Sequence, residues 1–505
     1  MNLAVASILL SLGLACAASA KDLLGVYEDA THNDPQIRAA DANRLAQREA
    51  RPQAWAALLP QISGTASWAK DHNDGTESSQ LFAPQIQPPV QLRIATTSTI
   101  KRYGATLQQS VFSWSNLMNL RAAGSQVAQA EANYHAAEQN LMLRVSQAYF
   151  NVLTAEDNLE ANQASLEAIA RQLDQANKRF EVGLIAITDV EEAKAARDTA
   201  AAAVIAAKRA LATANDQLSE ITGQKYDSLG KPGDNMPLNN PDPASEDQWV
   251  QVSLDQNLTL VSSRLAADIA RENVRVAFGG HLPEISFTAS RTHGNTIENE
   301  TFFGETLPLP STTTDNQFGF QVTVPLFSGG LTQSRVRQEQ YLWIAAKETV
   351  VQTSRATERQ ARDAYLGVIS GIAQVQALRQ ALESDQTALK ATEAGYEVGT
   401  RTSVDVLNAR QKLVQGQTDY ARSRYDYLLS IIQLRLAAGT LSRKDLEELN
   451  HPLTVPGPTT PSTPLAPAPN SGITAPAPQD VPPAPPANPA NPATTNPPPA
   501  QPPTR

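Results

Sequence analysis

The sequence predicts a mixed fold: long coiled-coil helices joined to short transmembrane β-strands, with the whole pattern written twice by internal duplication. Three observations predict it. Segments of the first half recur in the second at a constant spacing, residues 125–182 contain neither glycine nor proline, and four short segments alternate apolar with polar residues. Hydrophobic residues make up 41% and aromatic residues only 5% of the chain, much of the apolar share being alanine. Such a chain suits thin helical assemblies better than one thick core. A net charge of −10 and a pI near 5.3 argue against a nucleic-acid partner, which needs a basic face.

From the N-terminus, residues 3–17 are apolar, and Ala18-Ser19-Ala20 is an A-x-A cleavage site before Lys21. Residues 1–20 are therefore read as a signal peptide, although the only positive charge in its n-region is the α-amino group. The single cysteine is Cys16, so a chain cleaved after Ala20 has no disulfide and no thiolate metal site. Lipidation of Cys16 competes with cleavage, but Leu14 in Gly13-Leu14-Ala15 falls one place late for a lipobox. No run of about 18 apolar residues follows residue 20, so any later membrane crossing is a β-barrel.

The first repeat spans residues 21–223 and reads helix, two strands, long helix, turn, return helix. Its strands fall at about 60–70 and 101–111. In the first, Ile62, Gly64, Ala66 and Trp68 alternate with Gln61, Ser63, Thr65 and Ser67; the second is weaker, with Ala105 and Leu107 opposed to Thr106 and Gln108. Each has roughly the ten residues that a tilted transmembrane strand requires. A soluble antiparallel sheet with one wet face shows the same alternation; the export signal favours the membrane. The segment 71–98 reads as an extracellular loop, and Trp68 and Trp114 lie near strand ends, where an interfacial belt and plain packing are equally good readings.

The long helix, 125–182, would measure roughly 87 Å at about 1.5 Å per residue. Val145, Val152, Leu159, Leu166, Leu173 and Phe180 step by seven. A second row runs from Val127 through Leu141 and Ile169 to Ala176, interrupted by Asn162. Together they form the a/d seam of a coiled coil. The return helix, 188–222, carries the same period in Val190, Val204, Leu211 and Leu218, with alanines between that allow close approach.

Residues 224–247 form a linker rich in Pro, Gly, Asp and Asn. The second repeat, 248–450, has a helix, strands at about 283–291 and 317–326, a long helix at 331–394 and a return helix at 403–438. The segment 292–316 reads as a second extracellular loop. Ala148-Tyr149 recurs as Ala364-Tyr365, Glu181-Val182-Gly183 as Glu397-Val398-Gly399, Asp189-Val190 as Asp405-Val406 and Gly223 as Gly439, all 216 residues apart. Upstream, Leu59-Pro60-Gln61-Ile62-Ser63 recurs as Leu282-Pro283-Glu284-Ile285-Ser286, 223 apart. Gly367, Gly371 and Gly416 interrupt the second pair of helices without an obvious purpose. The tail, 451–505, holds most of the 34 prolines and reads as disordered. Four strands cannot close a barrel, and lipid does not tolerate an open edge, so closure must come from further copies of the chain.

No catalytic set emerges: the six histidines are scattered, and no metal-ligand spacing, phosphate loop or nucleophile elbow is present. The two turns, 183–189 and 399–405, stand out instead. Thr188, Asp189, Ser403 and Asp405 are residues that favour helix starts, so local capping explains them as well as any function does.

With Arg171-Gln172-Leu173-Asp174-Gln175, Gly183-Leu184-Ile185-Ala186-Ile187-Thr188-Asp189-Val190 and Gly399-Thr400-Arg401-Thr402-Ser403-Val404-Asp405-Val406-Leu407 in view, the chain resembles the TolC-type family of outer-membrane exit ducts. The resemblance covers about 22–450. It implies the protomer of a homotrimer, with a 12-strand β-barrel in outer-membrane lipid, a 12-helix coiled-coil α-barrel reaching into the periplasm, and an equatorial collar that includes 224–247. It further implies a channel for multidrug efflux and type I secretion, with no enzymatic activity and no cofactor. Its partners would be a periplasmic adaptor and an inner-membrane efflux or ABC transporter, which open the helix tips. The residues matching Thr188, Asp189, Tyr396 and Arg401 lock the periplasmic entrance, Gln172 and Glu393 match a further link between protomers, and Asp405 matches a cation-selecting ring. The family's second acidic ring is Asn408 here, which leaves three carboxylates per trimer and a weaker field.

Overall fold

The computed structural model describes residues 21–78, 91–233, 236–302, 305–450 and 453–458; the expected signal peptide and most of the proline-rich tail lie outside them. The first half comprises α1 (Leu23–Asn33), α2 (Pro35–Arg48), α3 (Ala50–Ala56), β1 (Gln61–Ser78), β2 (Gln91–Phe112), α4 (Trp114–Glu181) and α5 (Ile187–Thr222). After β3 (Ser228–Pro232) come α6 (Glu246–Gln256), α7 (Leu258–Phe278), β4 (Glu284–Phe302), β5 (Glu305–Thr323), α8 (Leu331–Glu397), α9 (Ser403–Ala438), α10 (Arg443–Asn450) and β6 (Leu453–Pro458).

The opening helix of each half is broken at a matched point. Asp34 leaves helical geometry at ψ 120°, and its carboxylate caps α2 by accepting from the Gln36 amide at 3.3 Å, with Pro35 in the first helical position. Asn257, 223 residues on, does the same between α6 and α7, accepting from the Leu260 amide at 3.1 Å. The duplication therefore includes this hinge.

The strands form one antiparallel sheet in the order β1-β2-β4-β5. Its register sets Ile62, Leu107, Ala289 and Phe318 side by side and Phe287 beside Phe320, so the alternation read from the sequence is one continuous apolar face. Phe318 and Phe320 are 81% and 71% exposed: the face has no cover among the described residues. The strands are longer than the hydrophobic alternation indicates. Much of the two expected loops, 71–98 and 292–316, is sheet: β1 continues to Ser78, β2 starts at Gln91, and β4 and β5 meet between Phe302 and Glu305. These extensions are rich in Thr, Ser and Asn on both faces, so the apolar signal stops while backbone pairing and the β-propensity of threonine carry on.

The first long helix also starts early, at Trp114 instead of 125. Gly124 does not break it, because Ala122 and Ala123 are buried and the N-terminus is fastened to α7: Trp114 Nε1 donates to the Arg275 carbonyl and Ser115 Oγ to that of Val276, both at 3.1 Å. Trp114 is thus a packing residue. α4 has 68 residues and α8 has 67, about 100 Å each. Burial follows the heptads: Val145, Val152, Leu159, Ala361, Val368 and Val375 are at most 5% exposed. Asn162, the polar interruption, bonds within its own helix to the Asn158 carbonyl at 2.7 Å. Gly416 gives room to the Asp385 carboxylate, whereas a Cβ at Gly371 would make only ordinary contact with Tyr427; α8 runs through Gly367 and Gly371 unbroken.

The linker and the start of the tail were not expected to form structure together. β3 pairs antiparallel with β6, and Lys21 runs alongside β3, its amide donating to the Ser228 carbonyl at 3.0 Å. Neither segment alternates, and β6 contains Pro456 and Pro458, so only the long-range partner makes them strands.

The ends of the return helices give one paired prediction. Gly223 and Gly439 cap α5 and α9 in left-handed geometry, φ +69° and +73°. A Cβ on Gly223 would meet only the Asn33 side chain at 3.3 Å, whereas on Gly439 it would overlap the Gln256 carbonyl. Gly223→Ala is expected to cost about 1–2 kcal/mol for the backbone conformation alone, and Gly439→Ala about 2–4 kcal/mol with the added overlap. Thermal unfolding in detergent should rank them in that order; equal losses would remove the packing argument.

Candidate gate at the helix tips

Each long hairpin reverses through a Schellman turn. The Leu184 amide donates to the Arg179 carbonyl at 2.9 Å, and the Thr400 amide to the Gly395 carbonyl at 2.8 Å. Gly183 and Gly399 supply the left-handed residue at φ +77° and +78°. A Cβ there meets open space, so backbone angle alone requires glycine.

The two tips then diverge in chemistry. The first exposes Val182, Leu184 and Ile187 at 70%, 73% and 50%, and its N-cap, Ala186, has no side chain to accept a bond. Thr188 and Asp189 sit inside the first turn of α5 and do not cap it. The second tip carries Thr400, Arg401 and Thr402. Thr402 and Asp405 form a full capping box: the Asp405 amide donates to Thr402 Oγ1 at 3.2 Å, and the Asp405 carboxylate accepts from the Thr402 amide and hydroxyl at 2.9 Å. These two bonds, with nearby Arg401, hold the Asp405 carboxyl below its usual range. Asp405 is therefore a firmly ionised group at the tip as well as a helix cap. Asn408, one turn on, is exposed.

Of the lock residues, the structure gathers three along a groove between α4 and the α8–α9 hairpin, beside Gln175, Arg179 and Arg410. Gln172 donates to Ser403 Oγ at 3.4 Å, while its own Oε1 is buried without a partner among the described residues. Glu393 accepts from Arg410 Nη2 at 2.5 Å. Tyr396 lies under the Arg179 guanidinium, 5.2 Å from the ring centroid. Gln172 and Glu393 thus each have a partner within one chain. Thr188, Asp189 and Arg401 make no side-chain hydrogen bond or ion pair among the described residues. Arg401 folds across Gly395, where a Cβ would stand 2.8 Å from Arg401 Cγ.

Arg179 and Arg410 were missed at the sequence level. For Arg179 a signal existed: it stands 216 residues before Gly395, so the halves differ there by a guanidinium. A third missed group lies where β3 packs against α4 and α9. Lys231 of β3, its side chain 15% exposed, lies 2.8 Å from Asp157 and 3.5 Å from Glu156 of α4. Tyr425 of α9 donates to Asp157 at 2.6 Å, Tyr149 to the Gly230 carbonyl at 2.7 Å, and Arg424 to the Pro232 carbonyl at 2.9 Å. β3 is thereby fastened to both hairpins.

A profile of outer membrane efflux proteins matches residues 26–224 and 249–440, one block for each repeat. The chain belongs to the outer membrane efflux protein family. Outer membrane protein TolC of Vibrio cholerae is 35% identical over 444 residues, covering 88% of this chain and 96% of that one. The alkaline protease secretion protein AprF of Pseudomonas aeruginosa is 28% identical over 432 residues, covering 85% and 87%. Among solved structures, the Campylobacter jejuni CmeC outer membrane channel superposes with a TM-score of 0.65 at 19% identity, covering 90% of this chain and 98% of that one, a likeness of fold. As an outer membrane efflux protein, the chain is an outer-membrane exit channel whose long helices extend into the periplasm.

Proposed function

We propose that three copies of the chain close a 12-strand barrel in the outer membrane and a 12-helix barrel below it, forming one duct for small-molecule efflux and for type I secretion. The open sheet carries this reading: four strands whose edges, β1 and β5, have no partner among the described residues, with an apolar face left bare. Backbone groups at such edges are untenable in lipid, and a closed ring satisfies them. A native mass measurement of the detergent-solubilised particle should give three chains; a stable single-copy, water-soluble particle would refute the proposal. Secretion is included because of the similarity to AprF.

The tips are the gate in this proposal. In this reading Thr188, Asp189, Tyr396 and Arg401 form the bonds that hold the entrance shut across protomer boundaries, and Gln172 and Glu393 add a further link between protomers. A periplasmic adaptor, with its inner-membrane efflux or ABC transporter, engages the exposed apolar tip around Leu184 and shifts a closed–open equilibrium toward open. Asp405 supplies the cation-selecting ring, and Asn408 leaves it single. Asp405→Asn is the apt test, since alanine would also delete the capping acceptor, at about 1 kcal/mol. In planar bilayers the asparagine variant should lose most of the preference for potassium over chloride; unchanged reversal potentials would rule Asp405 out.

A further inference from the structure

The four-stranded sheet sorts its charges between its two faces. Along the apolar face the register passes from Phe318 to Arg291, then to Tyr103 beside His293, then to Lys101 beside Trp68, with Lys70 one step beyond. No acid shares these rows. On that face, among residues whose side chains are described, the first acid is Asp74, farther along and 3.6 Å from His72. The opposite face holds Asp71, Glu284, Glu298, Glu300 and Asp315, with Arg102 as its base. A soluble sheet has no reason for such segregation. A barrel wall has one, since its two faces meet different surroundings.

Height along the barrel places the cationic rows. Val324, the residue just after β5, stands ten residues from Thr314, the neighbour of His293; at roughly 3.3 Å each and a tilt of about 40°, that rises about 25 Å, the height of an apolar band. Arg291 and His293 thus stand at the rim farther from the helices, and Lys101 and Lys70 just beyond it. Trp68 and Tyr103, 66% and 59% exposed, occupy the same rows, where amphipathic rings settle at headgroup level. His293 already bonds Thr314 at 2.9 Å, its ring 5.0 Å from that of Tyr103. The sheet presents no anion to Arg291, Lys101 or Lys70 in these rows, so their counter-charge must come from the surroundings. At headgroup depth that means phosphate.

We propose that Arg291, Lys101 and Lys70, flanked by Trp68 and Tyr103, form a belt that binds phosphate-bearing headgroups of lipid in the leaflet farther from the helices. The guanidinium fork of Arg291 suits bidentate contact with phosphate, and the lysine stems lie along the acyl chains with their ammonium groups in the headgroup layer. Three copies repeat the belt around the barrel, so annular lipid is ordered where the wall leaves the hydrocarbon. This inference rests on the channel reading above.

The test uses the full-length particle in bilayer discs of phosphatidylethanolamine, supplemented with either a bisphosphorylated acylated glucosamine disaccharide or its dephosphorylated form. Lipids retained on release are counted by native mass spectrometry. The phosphorylated form should be retained about tenfold more, and this preference should fall as salt is raised from low to molar concentrations. Lys70→Gln, Lys101→Gln and Arg291→Gln together should abolish the preference, while Lys101→Arg with Arg291→Lys keeps it and Arg102→Gln on the opposite face leaves it intact. Equal retention of the two lipids by the unsubstituted protein, a preference indifferent to salt, or a loss with Arg102→Gln as large as with the triple variant would overturn the belt. If the triple variant does not assemble, the salt series and the charge-keeping pair decide. A particle that fails to trimerise or enter the disc sinks the channel reading; one that enters without preference sinks only the belt.

Discussion

In planar bilayers, the Tyr396→Phe, Arg401→Ser double variant is expected to shift the duct from rarely open to mostly open. Exposed polar links are each worth about 0.5 kcal/mol, so removing two in each of three copies amounts to about 3 kcal/mol, roughly a 100-fold change in the open-to-closed ratio. The proposed lock acts between chains. Within one chain Arg401 is exposed and makes no ion pair among the described residues, and Thr188 and Asp189 make no side-chain hydrogen bond or ion pair there either. Tyr396 keeps its ring under Arg179 when its hydroxyl is removed, so the hairpin itself should stay folded. Unchanged single-channel conductance and open probability would show that the lock lies elsewhere. An Arg179→Ser control should loosen the ring without removing a link, and conduct less than the double variant.

Lys231→Met is expected to lower stability by about 3–5 kcal/mol, because it strands buried acids without their cation. Glu156 is 4% exposed, Asp157 shares its lysine, and Glu160 lies 3.9 Å away. Burial already pushes the Glu156 carboxyl up to about 7, with Lys231 opposing the rise and Asp157 adding to it. In the folded chain Glu156 therefore holds a proton that the unfolded chain releases near its ordinary value of 4.5. The stability this proton confers is full below about 4.5 and drains away as pH climbs through 7. Glu156→Gln should accordingly stabilise the protein at pH 8 by about 1–3 kcal/mol, with little effect near pH 4, and should restore part of what Lys231→Met removes. Thermal unfolding at the two pH values, with hydrogen exchange across residues 228–232, measures both; a Lys231→Met protein as stable as its parent would show that β3 is held by its backbone bonds alone.

What the amino-acid sequence by itself determined are the features written in local periods. The heptad rows of α4 and α8, the alternation of β1 and β5 and the reversing glycines at 183 and 399 each depend on residues a few positions apart, so burial and backbone angle follow from spacing alone, and the duplication shows in the sequence because the same local patterns are written twice. The sequence also picked out Asp405 and the tip residues, but not their partners. Tertiary structure decided whatever joins residues far apart in the chain. It extended the strands through threonine-rich segments whose only support is the neighbouring strand, made a strand of Leu453–Pro458 by setting it against Ser228–Pro232, and brought Lys231 to Asp157, Arg410 to Glu393 and Arg179 to Tyr396. A lone lysine in a glycine-proline linker has no periodic neighbour to betray it. Its role exists only because folding removes water from around two carboxylates of a helix some seventy residues earlier, and a charge in that place has to be answered.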